Sequence, residues 1–69
     1  MSQTITKLFE LNDEYKKQVT KAKADFQNVN QDKDGIYGAI YKMSECKSRI
    51  TIFEELIKIT NVLIDERTQ

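Results

Sequence analysis

The sequence predicts an all-α protein in which two helices fold back on each other as an antiparallel, coiled-coil-like hairpin. Three observations support this prediction. The 69 residues include no proline and only two glycines, Gly35 and Gly38. Apolar residues recur at steps of three and four through both halves of the chain, which is the period of a helix. A polar cluster at residues 28–35 separates the two halves and is typical of a turn.

The first predicted helix covers about residues 3–29. Its apolar seam advances alternately by four and three residues, which is the pattern of a narrow coiled-coil stripe. The seam consists of Leu8, Asn12, Tyr15, Val19, Ala22, Phe26 and Val29. Asn12 interrupts an otherwise apolar run, and an asparagine at such a position commonly determines register or the choice of partner.

The second predicted helix covers about residues 35–66 and follows a turn at about 30–34, with Asp34 as its cap. Its seam consists of Ile36, Ile40, Met43, Cys46, Ile50, Phe53 and Ile57. If the chain folds at the middle of the turn, the numbers of facing residues sum to about 65. Val29 is then expected opposite Ile36, and Phe26 opposite Ile40. The chain, 1–69, is predicted to be one helical-hairpin domain.

A second apolar stripe on the second helix has no partner within this hairpin. It consists of Ile52, Leu56, Ile59 and Leu63. One apolar stripe about 100° wide is enough for a surface helix, so a helix that is apolar on two sides needs more than one neighbour. With one cysteine and no histidine, a small core cannot be stabilised by an intrachain disulfide or a Cys/His zinc site. We therefore expect this stripe to mediate homodimerisation or assembly into a larger helical bundle.

Composition excludes several classes of function. Eleven basic and eleven acidic side chains balance, which argues against a generic nucleic-acid or acidic-membrane binder. No signal-peptide pattern and no run of about 18 apolar residues is present, so we expect a cytoplasmic protein without a membrane partner. The chain has no histidine, no glycine-rich phosphate loop and no nucleophile beside a base. We therefore expect no enzymatic activity and no cofactor.

A basic belt is the alternative candidate site. The predicted register brings the lysines in the middle of the first helix level with the cations of the second, and two tyrosines nearby can stack on a base. Such a belt can bind a nucleotide or an RNA backbone. It can also be a solvated flank that pairs with acids of another subunit. The belt consists of Lys16, Lys17, Lys21, Lys23, Lys42, Lys47 and Arg49, with Tyr15 and Tyr41.

The polar turn partly matches a calcium-binding EF-hand loop. Asn30, Asp32, Asp34 and Gly35 occupy the first, third, fifth and sixth positions of such a loop. The twelfth position requires a bidentate glutamate, and this chain has Tyr41 there. A turn with capping aspartates explains the same residues, so the sequence predicts no metal site.

These observations together predict a small, non-catalytic regulatory or inhibitory protein that acts through helix–helix association with itself and with a host or regulatory protein. Short helical chains of this kind are common among phage and mobile-element products that block a host factor. One alternative is an oligomeric binder of a nucleotide or RNA through the basic belt. Another is a structural subunit of a coiled-coil assembly.

In outline, the predicted architecture resembles that of small plasmid-copy-number regulators, which bind RNA as a dimer of hairpins. No motif in this chain aligns with those regulators. The resemblance therefore concerns architecture alone, and it assigns no role to any residue.

Overall fold

A computed structural model, which describes residues 2–68, shows two helices packed against each other. Helix α1 covers Ser2–Gln27 and helix α2 covers Gln31–Thr68. Between residues 2 and 68 there is no strand. The predicted all-α class and the packing of two helices as a hairpin are therefore confirmed. Met1 and Gln69, the ends of the predicted domain, lie outside the described residues.

The connection between the helices is short and is closed by hydrogen bonds. The backbone N–H of Asn28 donates to the carbonyl of Ala24 at 3.0 Å, which ends α1. Asn30 then begins α2, since its side-chain oxygen accepts a hydrogen bond from the N–H of Asp32 at 2.9 Å. This is the geometry of an N-cap. The cap is therefore Asn30 rather than the predicted Asp34, and α2 begins four residues earlier than predicted.

Gly35 interrupts α2 with a sharp kink. Its φ of 76° and ψ of 167° fall in a region that essentially only glycine adopts. The kink separates a single capped turn, Gln31–Asp34, from the long run of helix that follows. A side chain at Gly38 would place its Cβ 3.4 Å from the Cβ of Asp34. The carboxylate of Asp34 accepts a hydrogen bond from Lys42 Nζ at 2.7 Å instead of capping the helix.

The register of the hairpin differs from the predicted one. Three contacts between the helices define it: the rings of Tyr15 and Phe53 lie 5.9 Å apart, Asn12 forms a hydrogen bond with Thr60, and Asp25 lies near Arg49. In that order, the residue numbers of the three facing pairs sum to 68, 72 and 74. The predicted sum of about 65 is therefore wrong by roughly one heptad. A displacement of seven residues brings the same side of a helix back to the seam, so both registers align apolar residues. Periodicity alone cannot choose between them.

The first turns of α2 bury a different side of the helix from the one predicted. Ile36 and Ile40, predicted to face Val29 and Phe26, are 66% and 59% exposed, whereas Ala39 is 1% exposed. That part of the predicted seam is wrong, because the buried side of α2 here includes Ala39 and neither isoleucine. Val29 itself is half-buried.

A buried polar cross-link joins the helices towards their open end. The side-chain amide of Asn12 donates to the hydroxyl of Thr60 at 2.7 Å and to the side-chain oxygen of Asn61 at 2.9 Å. The Thr60 hydroxyl donates in turn to the carbonyl of Ile57 at 2.9 Å. Asn12 and Thr60 are both buried, and buried polar groups require such partners. In the predicted register Asn12 would have faced Phe53, so this cross-link favours the observed register.

The apolar core is thin because the helices meet through small side chains. The buried apolar residues are Val19, Ala22, Ala39 and Cys46. Among the described residues, no large side chain is completely removed from solvent. Much of the apolar bulk of the chain therefore lies at the edge of the seam or outside it.

Candidate interaction site

The exposed apolar surface of the hairpin belongs almost entirely to α2. Within the described part of the chain, eight large apolar side chains are exposed, and seven of them are on α2. The exception is Phe9 on α1. The seven are Ile36, Tyr37, Ile40, Tyr41, Ile52, Ile59 and Val62. The two helices therefore present different surfaces, and an interaction with another protein is expected on α2.

Five of these side chains form one line along α2, which we call the outer stripe. It consists of Tyr37, Tyr41, Ile52, Ile59 and Val62. Their separations of 4, 11, 7 and 3 residues are each close to a whole number of helical turns, so they share one side of the helix. The tyrosines lie near the turn and the aliphatic residues lie towards the open end.

The middle of the outer stripe is a shallow groove. Ser44, Ser48 and Thr51 occupy the stretch between Tyr41 and Ile52, and their side chains are small. The groove has a volume of about 390 Å³ and is lined by these three residues with Lys47 and Ile52. A large side chain from another helix has room to lie here.

The predicted interface residues lie at the aliphatic end, and they differ in exposure. Ile52 and Ile59 are exposed, whereas Leu56 and Leu63 are half-buried at the edge of the seam. A second groove of about 240 Å³ is lined by Lys58, Ile59, Val62 and Leu63.

Sequence reasoning missed three members of the outer stripe. Val62 follows Ile59 by three residues, so helical spacing was a sufficient signal for it. Tyr37 and Tyr41 were missed for a different reason. The predicted register placed their neighbours Ile36 and Ile40 in the seam, so this end of α2 was taken to be covered by α1.

Charged groups border the outer stripe. Lys58 Nζ lies 3.5 Å from a carboxylate oxygen of Glu55. Lys47 lines the groove. Glu45 is exposed and lines a separate cavity with Asp25 and Arg49.

Three cations of the predicted basic belt have partners within the hairpin. Lys42 is paired with Asp34. Arg49 lies 3.7 Å from the carboxylate of Asp25. Lys47 Nζ lies 5.9 Å from the centre of the Phe26 ring, the distance of a cation–π contact.

The two tyrosines of the predicted belt lie in different surroundings. Tyr15 is half-buried against Phe53 in the seam, while Tyr41 is exposed on the outer stripe. The lysines of α1 in the predicted belt are all exposed. They are Lys16, Lys17, Lys21 and Lys23.

The three residues of the partial calcium motif are used by the turn itself. The side-chain oxygen of Asn30 accepts the N–H of Asp32. The hydrogen bond from the Lys42 ammonium holds the pKa of the Asp34 carboxyl below its ordinary value, against a smaller opposing effect of desolvation. Within residues 2–68, no three acidic or cysteine side chains are grouped as metal ligands would be.

No family model, curated protein sequence or solved structure matches this chain significantly. Over the described residues, neither helix combines the length and the apolar character needed to cross a membrane.

Proposed function

We propose that this chain is a small, non-catalytic interaction protein that associates with itself through α2 and acts as a regulator or inhibitor by helix–helix contact. The observation that carries the proposal is the concentration of exposed apolar side chains on one helix, seven of eight in the described chain. A second hairpin packed on this side gives a four-helix bundle, which buries apolar faces that a single hairpin leaves in water.

The surface area of the chain supports a partner of its own size. The hairpin exposes 5473 Å², whereas a compact globular protein of this mass exposes about 4,500 Å². The excess is therefore of the order of 1,000 Å². A standard protein–protein interface buries about 800 Å² on each partner. One interface with a second copy thus removes approximately the area by which the hairpin exceeds a compact monomer.

The shape of the molecule leads to the same conclusion. The hairpin extends 51 by 14 by 12 Å, with a radius of gyration of 15.9 Å, against about 11 Å for a compact chain of this length. Two hairpins side by side double the width without increasing the length. Self-association is therefore the simplest way for this chain to acquire a compact core.

Binding of a nucleotide or RNA is the less supported alternative. It requires free cations and an exposed aromatic ring on one surface. Lys42 and Arg49 are each paired with an acid, and Tyr15 packs in the seam. The apolar surface of α2 has no comparable partner within the hairpin, so helix–helix association is the function we propose.

The test compares two matched substitutions by sedimentation equilibrium. Ile59→Glu introduces a charge at a side chain that is 53% exposed on the outer stripe, and Phe9→Glu introduces the same charge at one that is 49% exposed on α1. We expect Ile59→Glu to weaken self-association at least tenfold, the effect of losing about 1.4 kcal/mol. Phe9→Glu should leave the dissociation constant nearly unchanged, and both variants should keep their helical circular dichroism.

Two results would overturn the proposal. If the native chain sediments as a folded monomer, no second copy covers α2. If both substitutions weaken association equally, the contact is not specific to α2.

A further inference from the structure

We propose that two copies pack α2 against α2 in opposite directions, with the two-fold axis level with Thr51 and Ile52. The tyrosine end of each outer stripe then covers the aliphatic end of the other. This inference rests on the proposed self-association through α2, and it specifies the interface, its direction and its axis.

The outer stripe is complementary to itself when it is reversed. One end presents the rings of Tyr37 and Tyr41, the other presents Ile59 and Val62, and the groove lies between them. In a two-fold dimer every contact occurs twice, because residue i of one copy meets residue j of the other and residue j of the first meets residue i of the second. Reversal about the middle of α2 pairs tyrosine with aliphatic side chains at both ends.

The residue numbers determine which side chains face each other. With the axis between residues 51 and 52, the numbers of facing residues on the two copies of α2 sum to about 103. This sum holds along the whole contact, because both helices rise by 1.5 Å per residue. Tyr41 then meets Val62, and Ile59 meets Ser44. The large Ile59 side chain of one copy thus lies at the end of the groove of the other, where the small serine leaves space.

The position of the axis follows from the exposed tyrosines. A dimer that used only the aliphatic ends, with its axis near residue 58, would leave Tyr37 and Tyr41 of both copies in water. An axis at Thr51 and Ile52 covers both ends in one continuous contact.

Cross-linking of single cysteines locates the axis. The native Cys46 is replaced by alanine, and one cysteine is introduced at Tyr41, at Thr51 or at Lys58. In the proposed dimer the two copies of position 51 lie next to each other across the axis. The two copies of position 41 are about 31 Å apart along the helix, and those of position 58 about 20 Å apart. We expect a short bis-maleimide to cross-link Thr51→Cys in high yield and the other two poorly.

Each other pattern of cross-linking contradicts the proposal in a distinct way. Efficient cross-linking of Lys58→Cys alone places the axis at the aliphatic end. Cross-linking of Tyr41→Cys alone places it at the tyrosine end, and equal cross-linking at all three positions indicates a parallel dimer. If the Cys46→Ala background sediments as a folded monomer, the result contradicts the proposed self-association itself rather than the position of the axis.

A charge pair placed at two facing positions tests the register without cysteines and remains available if Cys46→Ala does not fold. Tyr41→Lys and Val62→Glu should each weaken association at least several-fold, because each variant alone places charges without a partner in the contact. An equimolar mixture should recover association, because in the mixed dimer the lysine introduced at position 41 of one copy meets the glutamate introduced at position 62 of the other and the second contact is native. A mixture that associates no better than the separate variants would overturn the register.

Discussion

The two faces of α2 differ in how far their side chains are removed from solvent. The inner face carries the buried Ala39, Cys46 and Thr60, and its half-buried Phe53 lies against Tyr15 of α1. The outer face carries tyrosines and branched aliphatic residues in water. The inner face therefore defines the geometry of the hairpin, while most of the exposed apolar side chains lie on the outer face.

Bulk added to the inner face should give the largest loss of stability. Ala39 is 1% exposed, so Ala39→Leu forces the seam apart. The expected cost is up to about 3 kcal/mol, a large part of the ~3–5 kcal/mol that a core of this size supplies. Urea denaturation at fixed protein concentration measures the loss.

The matched control for Ala39→Leu is Glu54→Leu, which adds the same bulk at an exposed position of α2. It should leave the urea midpoint nearly unchanged. Equal losses in the two variants would show that the inner and outer faces do not differ in packing, contrary to the comparison.

The kink before the long part of α2 should give the next largest effect. Gly35 has a backbone conformation that other residues rarely adopt, so Gly35→Ala should cost about 2 kcal/mol through strain. Gly38→Ala provides the matched control. Alanine there gains helix propensity, but its Cβ contacts Asp34 at 3.4 Å, so the net change should be much smaller. Equal effects in thermal melts would contradict the claim that the positive φ at position 35 requires glycine.

The polar cross-link should give a smaller loss of stability but a clear change in register. Thr60→Val keeps the shape of the side chain and removes the hydroxyl that binds Asn12, which should cost about 1 kcal/mol. Adding Asn12→Leu should recover most of that loss, because both polar partners are then apolar. The double variant should also admit the register displaced by one heptad, about 10 Å along the helix.

Spin labels at Gln3 and Arg67, which lie at the same level in the observed register, report the displacement caused by the double variant. A single native distance in the double variant would show that Asn12 and Thr60 are not needed to choose the register.

The ion pair at the turn should give the smallest effect, and its pH dependence has a defined sign. Lys42 lowers the pKa of the folded Asp34 carboxyl, so this pair stabilises the fold above the ordinary carboxyl range. The stabilisation is lost as the pH falls through the lowered value. Asp34→Asn should therefore reduce the melting temperature slightly at neutral pH and leave it unchanged in strong acid. Asp13→Asn, at an exposed carboxylate of α1, is the control. The difference in melting temperature between this variant and the native protein should not change from neutral to strongly acidic pH.

The sequence predicted the class of fold and part of the candidate surface for identifiable reasons. Helical spacing and the polar cluster were sufficient to predict two helices. Spacing also indicated that Ile52 and Ile59 lie outside the seam, as their exposure shows. Whether these residues mediate association is a prediction that stays open to the experiments above.

The register could not be obtained from spacing. A heptad displacement preserves the apolar pattern, whereas the observed register brings Asn12 to Thr60 across 48 positions of sequence. The exposure of Ile36 and Ile40, with Ala39 buried between them in the sequence, could not be obtained from spacing either, because both isoleucines continue the apolar repeat of the seam. A polar residue in a seam is thus a reason to search the facing helix for its partner before a register is assigned.

Whether a second copy covers α2 is decided by sedimentation velocity of the native chain across the micromolar range, with circular dichroism on the same samples. We expect a helical dimer or larger bundle at high concentration, and its dissociation on dilution should lower the melting temperature. A chain that remains a fully helical monomer, with a melting temperature independent of concentration, would contradict the claim that the outer face of α2 is covered by a second copy.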